Sequence, residues 1–300
     1  MVEMMGLKCI KCSDGSLLKS GDVALHCQSC NASYPILRDI PRFVETDEYV
    51  GNFSLEWKIH KKTQIDDNKS KSSAENFNVR FGFPGSFWSG KKVLDVGVGV
   101  GRYAKVALDH GAELWGVDLS YSVDVAKENL NAYPNAHFIQ ANVFDLPFEP
   151  ESFDVIYSFG VLHHTPNPRR AFEGLLKFLK PGGVICLTLY EDHGMYHTSR
   201  YLRQITTKLP NAILYGLSAF MTTLLYIPYK YLGFRYGIFG RFAPISLSDN
   251  FKEAILDTFD CYSPKYQFTY ADHEVFSWFK EAGLRDIDVR PQPVTILGFK

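Results

Sequence analysis

The sequence predicts an α/β fold in which a seven-stranded, mostly parallel sheet carries helices on both faces. Three observations predict it. Short apolar runs alternate with helix-like segments between residues 91 and 190, an order that is typical of parallel strands joined by crossover helices. The first apolar run ends in an acid and a glycine-rich turn, and the chain closes with one more helix-like segment and two more apolar runs. Ligands of such a sheet bind outside the carboxyl ends of its strands.

The individual elements follow from hydrophobic periodicity and from helix start and stop signals. Strands are predicted at 92–96, 114–118, 137–140, 153–158, 184–189, 287–290 and 295–299. Helices are predicted at 102–110, at 122–131 with Ser122 as its cap, at 169–178 and at 274–282. The sequence Pro181-Gly182-Gly183 is expected to separate the third of these helices from the next strand.

Composition divides the 300 residues into five regions. They are a cysteine-containing module at 1–44, a polar linker and N-terminal helical segment at 45–90, the sheet domain at 91–190, a helical insertion at 191–270, and the closing helix and strands at 271–300. The net charge of −1 gives no basis for expecting nucleic-acid binding, which usually requires a basic stripe. The local cluster of Lys58, Lys61, Lys62, Lys69 and Lys71 is interpreted as a solvated face.

Four of the six cysteines form two Cys-x-x-Cys pairs separated by 14 residues. The thiolates of Cys9, Cys12, Cys27 and Cys30 can close a tetrahedron around a structural zinc ion. Two disulfides, or a chance spacing, are the alternatives. Residues 1–18 contain no apolar run of the length that a secretory signal needs, so a reducing, cytoplasmic location is expected. The module and the sheet domain are expected to have separate cores.

The glycine-rich turn after the first strand indicates a nucleotide-like cofactor. Gly97, Gly99 and Gly101 do not follow the spacing of dinucleotide-binding loops, because the third glycine comes one residue early and Arg102 stands where that pattern needs glycine. Asp118, 23 residues after Asp95, ends the second strand. A carboxylate there can accept hydrogen bonds from both ribose hydroxyls, whichever cofactor is bound.

A series of later motifs discriminates between cofactors. It comprises Asn142-Val143, Leu146-Pro147-Phe148, Ser152-Phe153-Asp154-Val155-Ile156, Gly160-Val161-Leu162-His163-His164 and Leu179-Lys180-Pro181-Gly182-Gly183. In this order and spacing the motifs resemble the Rossmann-like class I methyltransferases of type 11, the family that includes ubiquinone-biosynthesis methyltransferases. The resemblance covers about residues 50–300. The module at 1–44, with Tyr34-Pro35-Ile36 and Ile40-Pro41-Arg42-Phe43 near its end, resembles a small zinc ribbon that accompanies many methyltransferases.

The resemblance implies S-adenosylmethionine as the cofactor and assigns residues to it. Gly97 and Gly99 are expected to contact the methionine part, Asp118 the ribose, and Asn142 and Val143 the adenine. Asp95 is expected to shape the glycine turn and to favour the ammonium group. The remaining expected contacts are Gly101, Leu119 and Phe159. The family usually has an acid where this chain has Asn142, so an altered adenine contact is expected.

Candidate catalytic residues follow the fourth and fifth strands. His163 and His164 are expected to face the methyl group, where a histidine can act as a general base, and packing is the alternative role for each. Tyr190 is a further candidate, with Glu191 and His193 beside it. Two further segments resemble a subset of the family found with cell-surface polysaccharide enzymes, and both are expected to line an acceptor pocket. They are residues 257–266, which contain Asp257, Asp260, Tyr262 and Tyr266, and the earlier segment with Gly51-Asn52-Phe53, Trp57 and Thr63-Gln64-Ile65-Asp66.

The insertion contains an uncharged stretch at 209–229. Its helical pattern puts Ile213, Leu217, Phe220 and Leu224 on one face, and Pro228 is expected to end the helix. A buried or lid helix is the first interpretation, and contact with a membrane surface or a lipid-linked acceptor is the second. The whole segment is expected to form a helical cap over the cofactor end of the sheet.

The sequence therefore predicts a methyltransferase that acts on a small-molecule acceptor, such as a sugar, a quinone-like ring or a lipid-linked intermediate. One alternative is an RNA or protein methyltransferase guided by the zinc ribbon. Another is a non-catalytic, methyltransferase-like binding subunit. The sequence makes no prediction about the oligomeric state or about the methylated atom.

Overall fold

The computed structural model describes residues 2–12, 15–46, 48–61, 65, 72–192, 194–232 and 243–300. A seven-stranded sheet lies at its centre, with the strand order β11-β12-β10-β9-β6-β7-β8. Its strands are β6 Lys92–Val96, β7 Glu113–Asp118, β8 Ala136–Gln140, β9 Phe153–Phe159, β10 Leu179–Thr188, β11 Arg285–Val289 and β12 Thr295–Phe299. Strand β12 runs antiparallel to both of its neighbours, and the pairs among β6–β10 are parallel. The predicted sheet is confirmed.

Helices cover both faces of this sheet, so the central strands are apolar along most of their length. Val93 and Leu94 of β6 are completely buried, and each belongs to a different hydrophobic cluster. The helices are α1 Gly51–Ile59, α2 Ser72–Phe81, α3 Arg102–Asp109, α4 Ser122–Asn129, α5 Pro168–Leu175, α6 Gly194–Thr206, α7 Asn211–Tyr231, α8 Phe251–Tyr262 and α9 Asp272–Glu281. The strand order reverses between β6 and β9, which is where open α/β sheets bind their ligands.

Two local predictions are wrong. Ser122 is the first residue of α4 and not its cap, because the chain turns at Tyr121 and the Ser122 amide donates to Ser120 Oγ. Pro181-Gly182-Gly183 lies inside β10, where the pairing with β9 shifts register between Leu179 and Val184. A bulge of this kind accommodates a proline that cannot donate to a neighbouring strand.

The N-terminal module is a five-stranded sheet in the order β1 to β5. Its strands are β1 Val2–Lys8, β2 Ser16–Ser20, β3 Ala24–Cys27, β4 Ser33–Leu37 and β5 Ile40–Pro41. The expectation of a separate core is wrong. Leu7, Tyr34 and Phe43 belong to the same hydrophobic cluster as Trp115 and Phe148 of the central sheet domain. The module therefore covers apolar surface of the larger sheet.

The insertion folds as α6, α7 and α8, and both α6 and α7 pack on α8. A fully buried α7 is contradicted: Leu217 and Phe220 of its apolar face are exposed, whereas Ser218 and Thr222 are buried. Pro228 lies inside α7, which continues to Tyr231. Among the described residues α7 is the one helix long and apolar enough to cross a membrane by length and composition.

Candidate functional site

A cavity of about 330 Å³ lies at the carboxyl ends of β6, β7, β9 and β10. The turn after β6 and the end of β7 form its floor. Its roof consists of Phe53 and Trp57 of α1 and of Leu256, Asp257 and Asp260 of α8. This volume falls within the range of small-molecule sites. The cavity therefore lies between the central sheet, helix α1 and helix α8 of the insertion.

The glycine turn adopts a backbone that requires glycine. Gly97 has φ of +81°, and its amide donates to the Val117 carbonyl at 2.7 Å. A Cβ atom on Gly97 would lie 2.3 Å from Val161 Cγ2, which is a steric clash. Gly97 and Gly99 both line the cavity, whereas Gly101 stands at the N-terminus of α3 and packs near Leu130.

Asp118 connects the glycine turn to the end of β7. Its Oδ2 accepts the Gly99 amide at 3.0 Å, and its Oδ1 accepts the amide and hydroxyl of Ser120 at 2.8 and 2.7 Å. Burial raises the pKa of this carboxyl, and the bonds from Ser120 and Gly99 oppose that rise. Asp118 and Leu119 line the cavity. The carboxylate is thus held in a fixed position at the cavity wall.

Two other predicted cofactor residues lie away from the cavity. Asn142 is not a lining residue, and its Oδ1 accepts the Phe144 amide at 3.1 Å in a turn, while Val143 beside it lines the wall. Asp95 is buried behind the glycine turn, where Tyr157 donates to its Oδ2 at 2.8 Å. Burial raises the pKa of Asp95 to about 7. Phe159, in contrast, lines the cavity.

His164, Tyr190 and Asp260 meet on one side of the cavity. The Tyr190 hydroxyl donates to Asp260 Oδ2 at 2.6 Å, and His164 Nε2 lies 4.0 Å from Asp260 Oδ1. His164 Nδ1 lies 3.0 Å from the Tyr266 carbonyl oxygen. A carbonyl only accepts, so Nδ1 carries the proton and Nε2 of the neutral ring is the basic atom. Burial lowers the pKa of His164, and Asp260 opposes that change.

His163 does not share this position. Its side chain is completely buried, and its ring packs 3.8 Å from the ring of Tyr190, centroid to centroid. The two histidines follow each other in a short 3-10 turn, Leu162–His164, so they point to different sides of it. His164 lines the cavity and His163 does not, and the expectation that both face the methyl group is wrong. Glu191 is exposed, and His193 lies outside the described residues.

Arg80 and Glu56, which the sequence did not single out, also line the cavity, together with Asp257 of the segment 257–266. Arg80 of α2 donates from Nε to Thr188 Oγ1 at 3.1 Å, with its guanidinium over the ring of Tyr103. The pKa of Glu56 is raised well above its usual range by burial, and then by Asp260 and Asp257. Burial raises the pKa of Asp257 to about 6. Arg80 and Glu56 belong to no motif, because their positions depend on how the helices pack.

The predicted acceptor segments meet the cavity only in part. Phe53, Trp57 and Asp260 line it. Tyr262 is buried and donates to the Pro244 carbonyl at 2.6 Å. The Tyr266 carbonyl contacts His164, as described above. Thr63, Gln64 and Asp66 lie outside the described residues, as do Lys62, Lys69 and Lys71 of the basic cluster.

The four cysteines of the N-terminal module come together as predicted. Their sulfur atoms all lie within 4.8 Å of one another, with Cys9 and Cys30 at 3.6 Å and Cys12 and Cys27 at 3.5 Å. The Ser29 amide donates to Cys27 Sγ at 3.4 Å, and none of the four is in a disulfide. Sulfur atoms around a tetrahedral zinc with bonds of ~2.3 Å are separated by similar distances. The residues therefore fit a four-thiolate metal site.

Comparison with known proteins locates the family relationship in the central strands. A family model for a methyltransferase domain matches residues 94–187, which include the glycine turn, Asp118 and His164. This part of the chain is similar to a methyltransferase domain. The N-terminal module and the insertion lie outside the matched residues.

Curated relatives match this chain over similar lengths, of 111 and 102 residues. Phosphoethanolamine N-methyltransferase 2 of Caenorhabditis elegans is 34% identical over 111 residues, covering 35% of this chain and 25% of that protein. Demethylmenaquinone methyltransferase of Clavibacter sepedonicus is 35% identical over 102 residues, covering 33% and 41%. The chain thus spans less than half the length of these two relatives.

Solved structures include phosphoethanolamine N-methyltransferase 2 of Haemonchus contortus in complex with S-adenosyl-L-methionine. It is 21% identical, covers 81% of this chain and 43% of that one, and gives a TM-score of 0.46.

Proposed function

We propose that this protein is an S-adenosylmethionine-dependent methyltransferase that acts on a small-molecule acceptor. One observation carries the proposal. A single cavity is lined both by Gly97, Gly99 and Asp118 and by His164 and Asp260, so a cofactor loop and a candidate proton acceptor face the same space. The methyltransferase-domain match supports it, as do relatives whose names specify a quinone or phosphoethanolamine.

The lining residues fit the proposed cofactor. Without side chains, Gly97 and Gly99 let the backbone approach the methionine part closely. Asp118 accepts the ribose hydroxyls, and Leu119 and Val143 pack beside the adenine. When bound, the sulfonium supplies a methyl group that is already electrophilic, so the protein mainly aligns the acceptor and excludes water.

His164 is the proposed general base. Its Nε2 would accept the proton of an acceptor hydroxyl or amine as the acceptor bonds to the methyl group and the bond from that methyl group to sulfur breaks, with S-adenosylhomocysteine as the leaving group. Asp260, 4.0 Å away, stabilises the ring when it is charged, and the bond from Tyr190 holds this carboxylate in place. The acceptor side also carries Glu56 and Asp257. This concentration of carboxyl groups favours an acceptor that presents a hydroxyl or an amine there, and disfavours an anionic group.

The four cysteines are proposed to hold a structural zinc ion. Four thiolates leave no open position for water or substrate, so the metal stabilises the module and takes no part in methyl transfer. The proposed location is the cytoplasm, where thiols remain reduced.

Binding of S-adenosylhomocysteine, measured by calorimetry, tests the cofactor assignment. Asp118→Ala is expected to weaken binding by ~1–3 kcal/mol, because it removes charge-assisted bonds to the ribose. Asp145→Ala, which changes an exposed acid nearby, is the matched control and is expected to bind normally. Tight binding of NAD with no binding of S-adenosylhomocysteine would refute the assignment.

Methyl transfer itself is tested by mass spectrometry. A metabolite extract incubated with the protein and methyl-deuterated S-adenosylmethionine is expected to yield a product heavier by one deuterated methyl group. Binding of S-adenosylhomocysteine without such a product from small-molecule, RNA or protein fractions would indicate a non-catalytic binding subunit.

A further inference from the structure

Helix α7 carries an exposed apolar stripe, which is defined here as Ile213, Leu217, Phe220, Leu224, Ile227 and Tyr231. The spacings along it are four, three, four, three and four residues, so these side chains follow one line along the helix. Each side chain is at least 51% exposed. At a rise of ~1.5 Å per residue the stripe is roughly 27 Å long. Soluble proteins rarely leave so continuous an apolar line in water.

The opposite face of α7 is already in contact with the protein. Leu214 packs in a cluster with Phe259 of α8, and Ser218 and Thr222 are buried beneath the helix. The Tyr215 hydroxyl lies 2.8 Å from His60 Nε2, and the Tyr226 hydroxyl donates to the Ser248 carbonyl at 2.7 Å. This packing fixes the rotation of α7. The helix therefore lies on the protein surface with the stripe directed outward, and does not span a bilayer.

The segment of the chain that carries the stripe has charges of one sign. Residues 193–248 contain six arginines and lysines and no aspartate or glutamate. The other 26 basic residues and all 33 acidic residues lie elsewhere, which gives the rest of the chain a net charge of −7. Arg203 is buried and Lys230 pairs with Asp249 at 2.7 Å, whereas Arg200 and Lys208 of the preceding segment are exposed. The stripe thus lies in an acid-free, basic part of an otherwise acidic chain.

We propose that the stripe docks on the surface of an anionic lipid bilayer. An amphipathic helix with large apolar side chains on one face and basic residues around it binds in this way. Anionic headgroups complement the acid-free segment, whereas a second copy of the chain would bring two basic segments together at the same interface. Docking does not rest on the proposed methyl transfer, because the stripe lies on the side of α7 away from α8, and α8 forms the cavity roof.

Vesicle co-sedimentation of the full-length, zinc-loaded protein tests this. Vesicles of phosphatidylcholine with about one third phosphatidylglycerol are expected to bind the protein, and vesicles of phosphatidylcholine alone to bind it at least about tenfold more weakly. Phe220→Glu/Leu224→Glu is expected to weaken binding to the anionic vesicles by at least about tenfold. Arg200→Gln/Lys208→Gln is expected to weaken it about threefold or more and to reduce its dependence on salt.

The matched control is Val23→Glu/Leu37→Glu, which adds the same charge at two exposed apolar residues of the N-terminal module. It is expected to bind vesicles no more than about threefold more weakly than the unchanged protein. Circular dichroism checks that every variant is folded. The proposal is overturned if the unchanged protein does not sediment with anionic vesicles, or if the stripe variant and the control lose binding equally. It is also overturned if light scattering shows that the unchanged protein is a dimer and that Phe220→Glu/Leu224→Glu is a monomer, while neither protein binds vesicles.

Discussion

His164 is buried at the cavity wall, and its basic Nε2 atom lies near Asp260. Burial lowers its pKa below the usual 6.5, so the ring is neutral at neutral pH. A general base acts only in its neutral form. Methyl transfer to a hydroxyl or amine is therefore expected to be constant near neutral pH, and to fall as the pH drops through this lowered pKa. A profile of the methyl-transfer rate against pH, recorded with saturating cofactor, measures this fall.

Substitution of Asp260 identifies the group that titrates. Its charge raises the pKa of His164, so Asp260→Asn is expected to move the acidic limb of the profile to lower pH. Asp257 has a pKa of about 6 and titrates in the same range, so Asp257→Asn is the control that should leave the limb in place. A limb that moves only in Asp257→Asn would contradict the assignment to His164.

Gly97 adopts a backbone conformation that other residues rarely adopt, and it has no room for a side chain. Gly97→Ala is expected to weaken binding of S-adenosylhomocysteine at least about tenfold, because the new Cβ meets Val161 and displaces the turn. Calorimetry measures this loss. Gly97→Ala/Val161→Ala removes the two nearest contacts, those with Val161 Cγ2 and Cγ1, and leaves the one with Cβ at 2.8 Å, so it is expected to recover only part of the affinity. Gly90→Ala has a similar positive φ and open space around it, and is expected to bind normally.

Arg42, directly after strand β5, connects the N-terminal module to the cofactor end of the central sheet. This buried side chain donates to Gln140 Oε1 at 3.1 Å and to Asp124 Oδ1 at 2.7 Å. Gln140 in turn donates to the Leu119 carbonyl at 2.8 Å. Arg42→Met is expected to destabilise the protein by about 2–4 kcal/mol, since Asp124 loses its buried partner. It is also expected to weaken cofactor binding, since Leu119 lines the cavity.

Arg38 provides the comparison for Arg42. It lies 3.7 Å from the same carboxylate, but its side chain is 82% exposed. Arg38→Met is expected to change the free energy of unfolding by less than about 0.5 kcal/mol. Urea unfolding compares the two variants. Equal losses of unfolding free energy in Arg42→Met and Arg38→Met would show that burial of Arg42 contributes nothing to stability.

The elements that local sequence determines were predictable. The alternation of strands and helices and the Gly97 and Gly99 turn needed only neighbouring residues. The orientation of α7 did not follow from its pattern, because a period of 3.6 residues defines two faces but not which one is covered. That depends on α8, some twenty residues beyond the end of α7. The same reasoning applies to Arg80, whose place in the cavity results from packing of α2.

The N-terminal module and the sheet domain are expected to unfold together, because they share one hydrophobic cluster. Metal analysis is expected to find one zinc ion per chain. Chelation is expected to lower the single thermal midpoint of the whole chain rather than to melt residues 7–44 alone. Calorimetric scans with and without chelator measure this, and two separate transitions would contradict it.

Cys27→Ser tests the same coupling without a chelator. It is expected to lower the midpoint and to release the metal. Cys186→Ser changes a buried cysteine of β10 that is not part of the four-sulfur cluster. This variant is expected to retain the metal, even if it is less stable. Metal retention in Cys27→Ser would show that this thiolate is not a ligand.

The contact between Arg42 and Gln140 has a consequence for how the chain is made. The two residues are 98 positions apart, so at ~5–20 residues per second a ribosome needs roughly 5–20 s to add Gln140 after Arg42. During that time the apolar side of the module, including Leu7 and Phe43, has no central sheet to cover. Metal binding by the four thiolates can stabilise the nascent module during this interval. Zinc starvation during translation is therefore expected to lower the yield of folded protein more than removal of zinc from the finished protein.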